Sequence, residues 1–118
     1  MTELEQRLRD LYVAFNARDI DSVLAALTPE VDWPNGMQGT RELGQEAVRA
    51  HWVNQWRVID PLVEPVAIES RADGAVSVEV HQVVRNMDGA VVNDRTVFHV
   101  YRFDRAGLVT RMDIEESS

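Results

Sequence analysis

Residues 76–103 read V-S-V-E-V-H-Q-V-V-R-N-M-D-G-A-V-V-N-D-R-T-V-F-H-V-Y-R-F. Two long runs rich in β-branched and aromatic residues flank Met87-Asp88-Gly89-Ala90, a hairpin signal, so strands are expected over Val76–Arg85 and Val91–Phe103. Both parities carry apolar residues. Val76, Val78, Val80 and Val84 share one face, with Phe98 and Val100; Val83, Val97, Tyr101 and Phe103 share the other, with Glu79, His81 and His99. A sheet with one wet face would alternate more cleanly. The pattern therefore predicts a sheet covered on both sides, by helices on one and by a second subunit on the other.

The flanking sequence supplies the rest of that sheet. Leu62–Ser70 reads as a strand in which Pro65 marks an edge or a bulge. Arg71–Gly74 and Asp104–Gly107 are turns, and Leu108–Glu116 is the last strand. Upstream, Thr2 and Glu5 have capping-box spacing, and Leu4, Leu8, Leu11, Tyr12 and Phe15 recur at helical intervals. Helix one is expected from about residue 3 to about residue 17. Asp19 caps a short second helix with Ile20, Val23, Leu24 and Leu27 as its buried stripe, bounded by Pro29. Val31–Trp33 reads as a short strand closed by Pro34-Asn35-Gly36. A third helix spans about Gly44 to Arg57, with Ala47, Val48, His51, Trp52, Gln55 and Trp56 on its inner side.

Composition narrows the function classes. The 118 residues are one domain, 1–118, large enough for a core without staples. No cysteine is present, which excludes disulfides, thiolate nucleophiles and cysteine-based zinc sites. Twelve basic against 20 acidic residues give a net charge of −8, and the arginines are scattered, so nucleic acid is not an expected partner. No apolar run approaches the roughly 20 residues of a membrane span, and the acidic N-terminus is not a signal peptide. A cytoplasmic protein is expected.

The helical stretch Y-V-A-F-N-A-R-D-I-D-S-V-L-A-A-L (12–27), then G-Q-E-A-V-R-A-H-W (44–52) and V-Y-R-F-D-R-A-G-L-V-T-R-M (100–112), resembles the nuclear transport factor 2-like superfamily. The resemblance is to its SnoaL-like and ketosteroid-isomerase-like branch. It implies a cystatin-like α+β fold: a cone-shaped, strongly bent, mostly antiparallel sheet wrapped around three N-terminal helices. It also implies a pocket at the open end and homodimers through the convex sheet face. Ketosteroid isomerases use a carboxylate base, a tyrosine donor and a protonated aspartic acid. The resemblance places these on Asn35, Leu11 and His99, and a helix-three tyrosine on Trp52; Tyr12 lies about 100° around the helix from Leu11. Asn35 cannot abstract a proton, so the steroid-isomerase mechanism is not expected. The epoxide-hydrolase-like aspartate of the last strand falls near Ile114, with Asp113 on the other parity.

The same register predicts a pocket lined by Trp33, Asn35, Trp52, Trp56, Glu79, His81, Val97, His99, Tyr101, Met112 and Ile114. Asp32 is expected to face outward and His51 to sit on the flank of helix three. If the hairpin loop is Asp88-Gly89-Ala90, Glu79 lies opposite His99 and His81 opposite Val97, making His99 a general acid or base oriented by Glu79. Two imidazoles and a carboxylate have the composition of a metal triad, but no supporting spacing is present; neither metal nor cofactor is expected. The expected ligand is a small hydrophobic or cyclic molecule, handled by isomerase-, cyclase- or lyase-type chemistry through a pocket histidine. A non-catalytic binding or dimerisation module, and a hydrolase or dehydratase using His99 with Glu79, are the alternatives. The terminal E-E-S-S reads as a solvated tail.

Overall fold

A computed structural model describes residues 2–36 and 38–116. Helix α1 is Glu3–Asn16, α2 is Ile20–Leu24, and α3 is Gln45–Val58. Thr2 caps α1 by accepting from the Glu5 amide, and Asp19 caps α2 by accepting from the Ser22 amide, as their spacing predicts. Six strands follow or interleave: β1 Leu27–Asn35, β2 Thr40–Leu43, β3 Ile59–Ser70, β4 Val76–Asn86, β5 Val91–Phe103 and β6 Val109–Glu116. They form one sheet in the order β2-β1-β6-β5-β4-β3, antiparallel except for the β1–β6 pair. The expected α+β fold, a curled mostly antiparallel sheet with N-terminal helices, is the fold observed.

The largest boundary differences lie between Leu27 and Leu43, and β3 starts at Ile59, three residues before the expected Leu62. Leu27 opens β1 and does not end α2, and Pro29 lies inside that strand. The ladder to β6 shifts register between Leu27 and Asp32, so the proline's missing N–H falls where pairing is interrupted. Thr40–Leu43, to which the sequence assigns no element, is a short edge strand that pairs with Asp32–Asn35. Pro65 is explained twice over: β3 is an edge strand, and its register to β4 shifts between Pro65 and Ala67.

The hairpin register is corrected by one residue. The turn is Asn86–Gly89, with the Gly89 amide bonded to the Asn86 carbonyl and the Asn86 amide to the Ala90 carbonyl. Gly89 has φ +90°, which a side chain would disfavour, and the Asn86 carboxamide accepts from the Asp88 and Ala90 amides. A further shift between Val84 and Arg85 sets the long register: Val76 opposite Tyr101, Val78 opposite His99, Val80 opposite Val97. Strand side chains alternate, so this net slip turns every β4 residue over relative to β5. Val76, Val78 and Val80 therefore share the concave face with Val97, His99 and Tyr101. Glu79 and His81 move to the convex face, opposite Phe98 and Thr96.

The concave face packs on the helices. Leu8, Leu11 and Tyr12 of α1, Val23 and Leu24 of α2, and Val48 and Trp52 of α3 form one buried cluster with the strand valines. The end of α1 is fixed to the sheet edge by Asn16, whose Nδ2 donates to the Val63 carbonyl (2.7 Å) and whose Oδ1 accepts from the Val63 amide (3.0 Å). That carboxamide replaces a neighbouring strand at β3. Asn16→Ala is expected to cost about 2 kcal/mol, because two half-buried backbone groups lose their partner; urea unfolding of the variant measures it.

The convex face is laced with ion pairs. Asp32 faces outward as expected and accepts from Arg41 (2.7 Å) and Arg111 (2.8 Å), which also hold Asp113. Arg71–Glu115 and Arg102–Asp73 continue the pattern, while Arg95–Glu116 lies on the concave side, where Arg95 lines the cavity. Glu115 and Glu116 thus belong to β6 and not to a tail; Ser117 and Ser118 lie outside the described residues.

Candidate functional site

A cavity of about 180 Å³ opens between α1, α3 and the concave face of the sheet. Its wall is mostly apolar: Leu11 and Phe15 from α1, Trp33 and Pro34 from β1, Trp52 from α3, Met112 and Ile114 from β6. Trp33 and Trp52 meet edge to face, with ring centroids 5.5 Å apart, and Phe15 meets Trp52 at 5.8 Å. Such edge-to-face pairs add stability beyond area burial and fix the rings in place.

His51, Gln55, Gln82 and Arg95 also line the cavity, and one buried hydrogen-bonded chain interrupts its apolar part. The Tyr101 hydroxyl donates to the Tyr12 hydroxyl at 2.8 Å, and Tyr12 in turn lies 2.8 Å from His99 Nδ1. With its oxygen accepting from Tyr101, Tyr12 spends its proton on Nδ1. A neutral His99 ring then carries its own proton on Nε2. Burial pushes the His99 pKa down to about 4, so the ring is neutral at pH 7. Burial also pushes both tyrosine hydroxyls up, keeping them protonated. All three residues line the cavity.

The residues expected from the sequence distribute in three ways. Trp33, Trp52, His99, Tyr101, Met112 and Ile114 line the cavity. Val97 is fully buried opposite Val80 without lining it. Trp56 lies behind the wall, stacked on Trp52 at 6.1 Å with Arg18 over its ring at 5.0 Å. Asn35 is buried beside the cavity, where Nδ2 donates to Glu42 (3.1 Å) and Oδ1 accepts from the Gln38 amide (3.1 Å). Glu79 and His81 are corrected: the hairpin register puts them on the opposite face of the sheet from His99, and His81 pairs with Asp94 at 2.7 Å. The reading of His99 oriented by Glu79, and with it the hydrolase or dehydratase alternative, loses its geometry. Among the described residues, no three His, Cys, Asp or Glu side chains gather as a metal site.

Two cavity residues were misjudged by sequence reasoning. Tyr12 is two per cent exposed and aimed at His99. Its signal was present, since Leu8, Tyr12 and Phe15 are spaced four and three apart and so share a helix face. His51 is not on the flank of α3 but buried, at the border between the cavity and a second, polar recess. Burial lowers its pKa, opposed by the charge of Glu42. No Asp or Glu lines the cavity among the described residues.

No helix among the described residues is long and apolar enough to cross a membrane. No curated protein matches the chain significantly. Solved structures do. A nuclear transport factor 2-like protein of unknown function from Burkholderia pseudomallei is 27% identical, covers 99% of this chain and 92% of its own, and superposes with a TM-score of 0.85. TerC, co-crystallised with polyporic acid, is 22% identical over 98% of this chain and 92% of its own, with a TM-score of 0.84. SalBIII, an epoxide hydrolase/cyclase-like enzyme of pyran ring formation in salinomycin, is 15% identical over 98% and 91%, with a TM-score of 0.82. At 22% and 15% these last two speak for the fold alone. The family model for the SnoaL-like domain matches residues 8–112. With that match over most of its length, and a curled sheet closed around an aromatic-walled cavity, this chain belongs to the SnoaL-like family of the nuclear transport factor 2-like superfamily.

Proposed function

We propose that this protein binds a hydrophobic molecule of one or two rings bearing an acceptor oxygen, a ketone foremost, and holds that oxygen on His99. The observation that carries this is the chain Tyr101–Tyr12–His99, which ends in a mostly apolar cavity. The chain leaves Nε2–H as the ring's remaining donor. In surroundings of low dielectric a single well-placed donor is worth more than in water. Size supports the ligand class: a cavity of about 150 Å³ accepts benzene, and this one is about 180 Å³. A structural neighbour, TerC, was co-crystallised with polyporic acid.

The chemistry this arrangement favours is polarisation of a carbonyl, of the isomerase or cyclase type. Negative charge growing on the oxygen would be met by the imidazole N–H, with Tyr12 and Tyr101 fixing the tautomer. Among the described residues the cavity offers no carboxylate base, so a proton on carbon would have to pass to His51, whose pKa burial lowers. The same lack of a carboxylate favours a second reading, a non-catalytic binding module. Pairing of two copies through the convex face remains part of the proposal; the ion pairs there would give that contact a polar character.

The test is a matched pair of ligands followed by tryptophan fluorescence. 1-Tetralone is expected to bind about tenfold tighter than tetralin, the value of one well-made hydrogen bond, and His99→Leu is expected to abolish the difference. Equal binding of the two by the wild type would refute the role of His99. Binding of neither would refute the pocket.

A further inference from the structure

We infer that the polar recess beside the cavity is a second subsite, which takes a hydrogen-bond-donating arm, an ammonium foremost, on the ligand whose ring fills the cavity; this rests on the reading of the cavity above. The recess is lined by Asn35, Glu42, His51, Asn54 and Gln55, among others. Cavity and recess lie along the same two elements. His51 and Gln55, one helical turn apart on α3, line both. At the end of β1, Pro34 and Gly36 line the cavity while Asn35 and Gln38 line the recess. The two therefore share a border formed by His51 and Gln55, and a ring in the cavity that carries a short arm can address the recess across it.

Glu42 gives the recess its chemical preference. It is half-buried, and Asn35 Nδ2 fixes its carboxylate by donating to Oε2. Among the described residues it has no ion-pair partner, although the acidic residues Asp32 and Asp113 nearby on the sheet each hold two arginines. Among the described residues, no lysine or arginine lines the recess. A carboxylate has about four acceptor positions, so one hydrogen bond from Asn35 leaves acceptor capacity facing the recess. A cationic arm would supply the missing counter-charge. An anionic arm would meet repulsion and no compensating donor of opposite charge.

Calorimetric titration at pH 7 with 2-(2-naphthyl)ethylamine, 2-(2-naphthyl)ethanol and 2-naphthylacetate tests this. The amine is expected to bind at least about tenfold tighter than the acid, the scale of a charge-assisted hydrogen bond, with the alcohol between. Glu42→Gln is expected to remove most of that spread. Ala50 is an exposed position of α3 on the recess, so Ala50→Lys provides an independent check that does not disturb the core. It is expected to shift the ratio by about tenfold toward the acid. A wild type that binds amine and acid alike overturns the subsite and leaves the cavity reading standing, as does a spread that neither Glu42→Gln nor Ala50→Lys alters. Failure of all three compounds to bind overturns both.

Discussion

Lowering the pH from 7 to 4 is expected to remove about 3 kcal/mol of folding stability through His99 alone. The folded-state pKa of this residue is held down to about 4 by burial, while the unfolded chain titrates near the ordinary value of 6.5. Between those values the unfolded state binds a proton that the folded state refuses, so stability rises with pH. The contribution is complete above pH 6.5 and is lost as the pH falls toward 4. His51, also lowered by burial, adds in the same direction. Asp73, held down by the Ala75 amide and then by Arg102, and Asp113 and Glu115, held down by arginine, titrate below the ordinary carboxylate range and so contribute at lower pH. Denaturant unfolding of the wild type at half-unit steps from pH 7 to 4.5, beside His99→Leu, isolates the effect. The variant is expected to show a much flatter profile; an unchanged slope would mean that His99 titrates normally in the fold.

Trp52→Ala is expected to cost about 4 kcal/mol, near the upper end for a buried aromatic. The ring is two per cent exposed and is held by Trp33, Phe15 and Trp56 on three sides. These neighbours are themselves large and mutually packed, so they cannot collapse into the space. Trp52→Phe keeps much of the volume and is expected to lose less than half as much. Thermal unfolding of the two variants measures the difference. A loss below about 1 kcal/mol in Trp52→Ala would show that the aromatic cluster repacks freely.

Much of the fold was legible because local signals and periodicity agreed. Thr2 and Asp19 announced two helix starts, and α3 differed by one residue at each end. The misses have identifiable causes. Two prolines in Leu27–Asn35 made a nine-residue strand read as a three-residue one, since a pairing interruption that tolerates Pro29 cannot be seen without the partner strand. Thr40–Leu43 has no apolar alternation and is a strand only because Asp32–Asn35 lies beside it.

The candidate site was partly legible. Trp33, Trp52, His99, Tyr101, Met112 and Ile114 followed from strand and helix parity. Glu79 and His81 did not, because parity within a strand is robust while register between strands depends on one turn. Asn86 and Gly89 make that turn four residues long, and the shift at Val84/Arg85 completes the slip. Tyr12 is absent from the expected pocket because the resemblance puts the donor on Leu11, although its own helical spacing places it inside. His51 shows a further limit: whether a helix-flank residue is covered depends on the β1–β2 turn, which lies far from it in the spacing pattern.

The most direct test of the central assignment is a long-range ¹H–¹⁵N correlation spectrum of the histidine rings, recorded from pH 7 to 4.5 with and without 1-tetralone. The expected result is a His99 ring protonated on Nε2 that does not titrate above about pH 5 and whose Nε2 resonance moves when the ketone binds. A ring protonated on Nδ1, or one that titrates near 6.5, or one indifferent to the ketone under saturating conditions, would contradict a neutral His99 donor at the heart of the cavity.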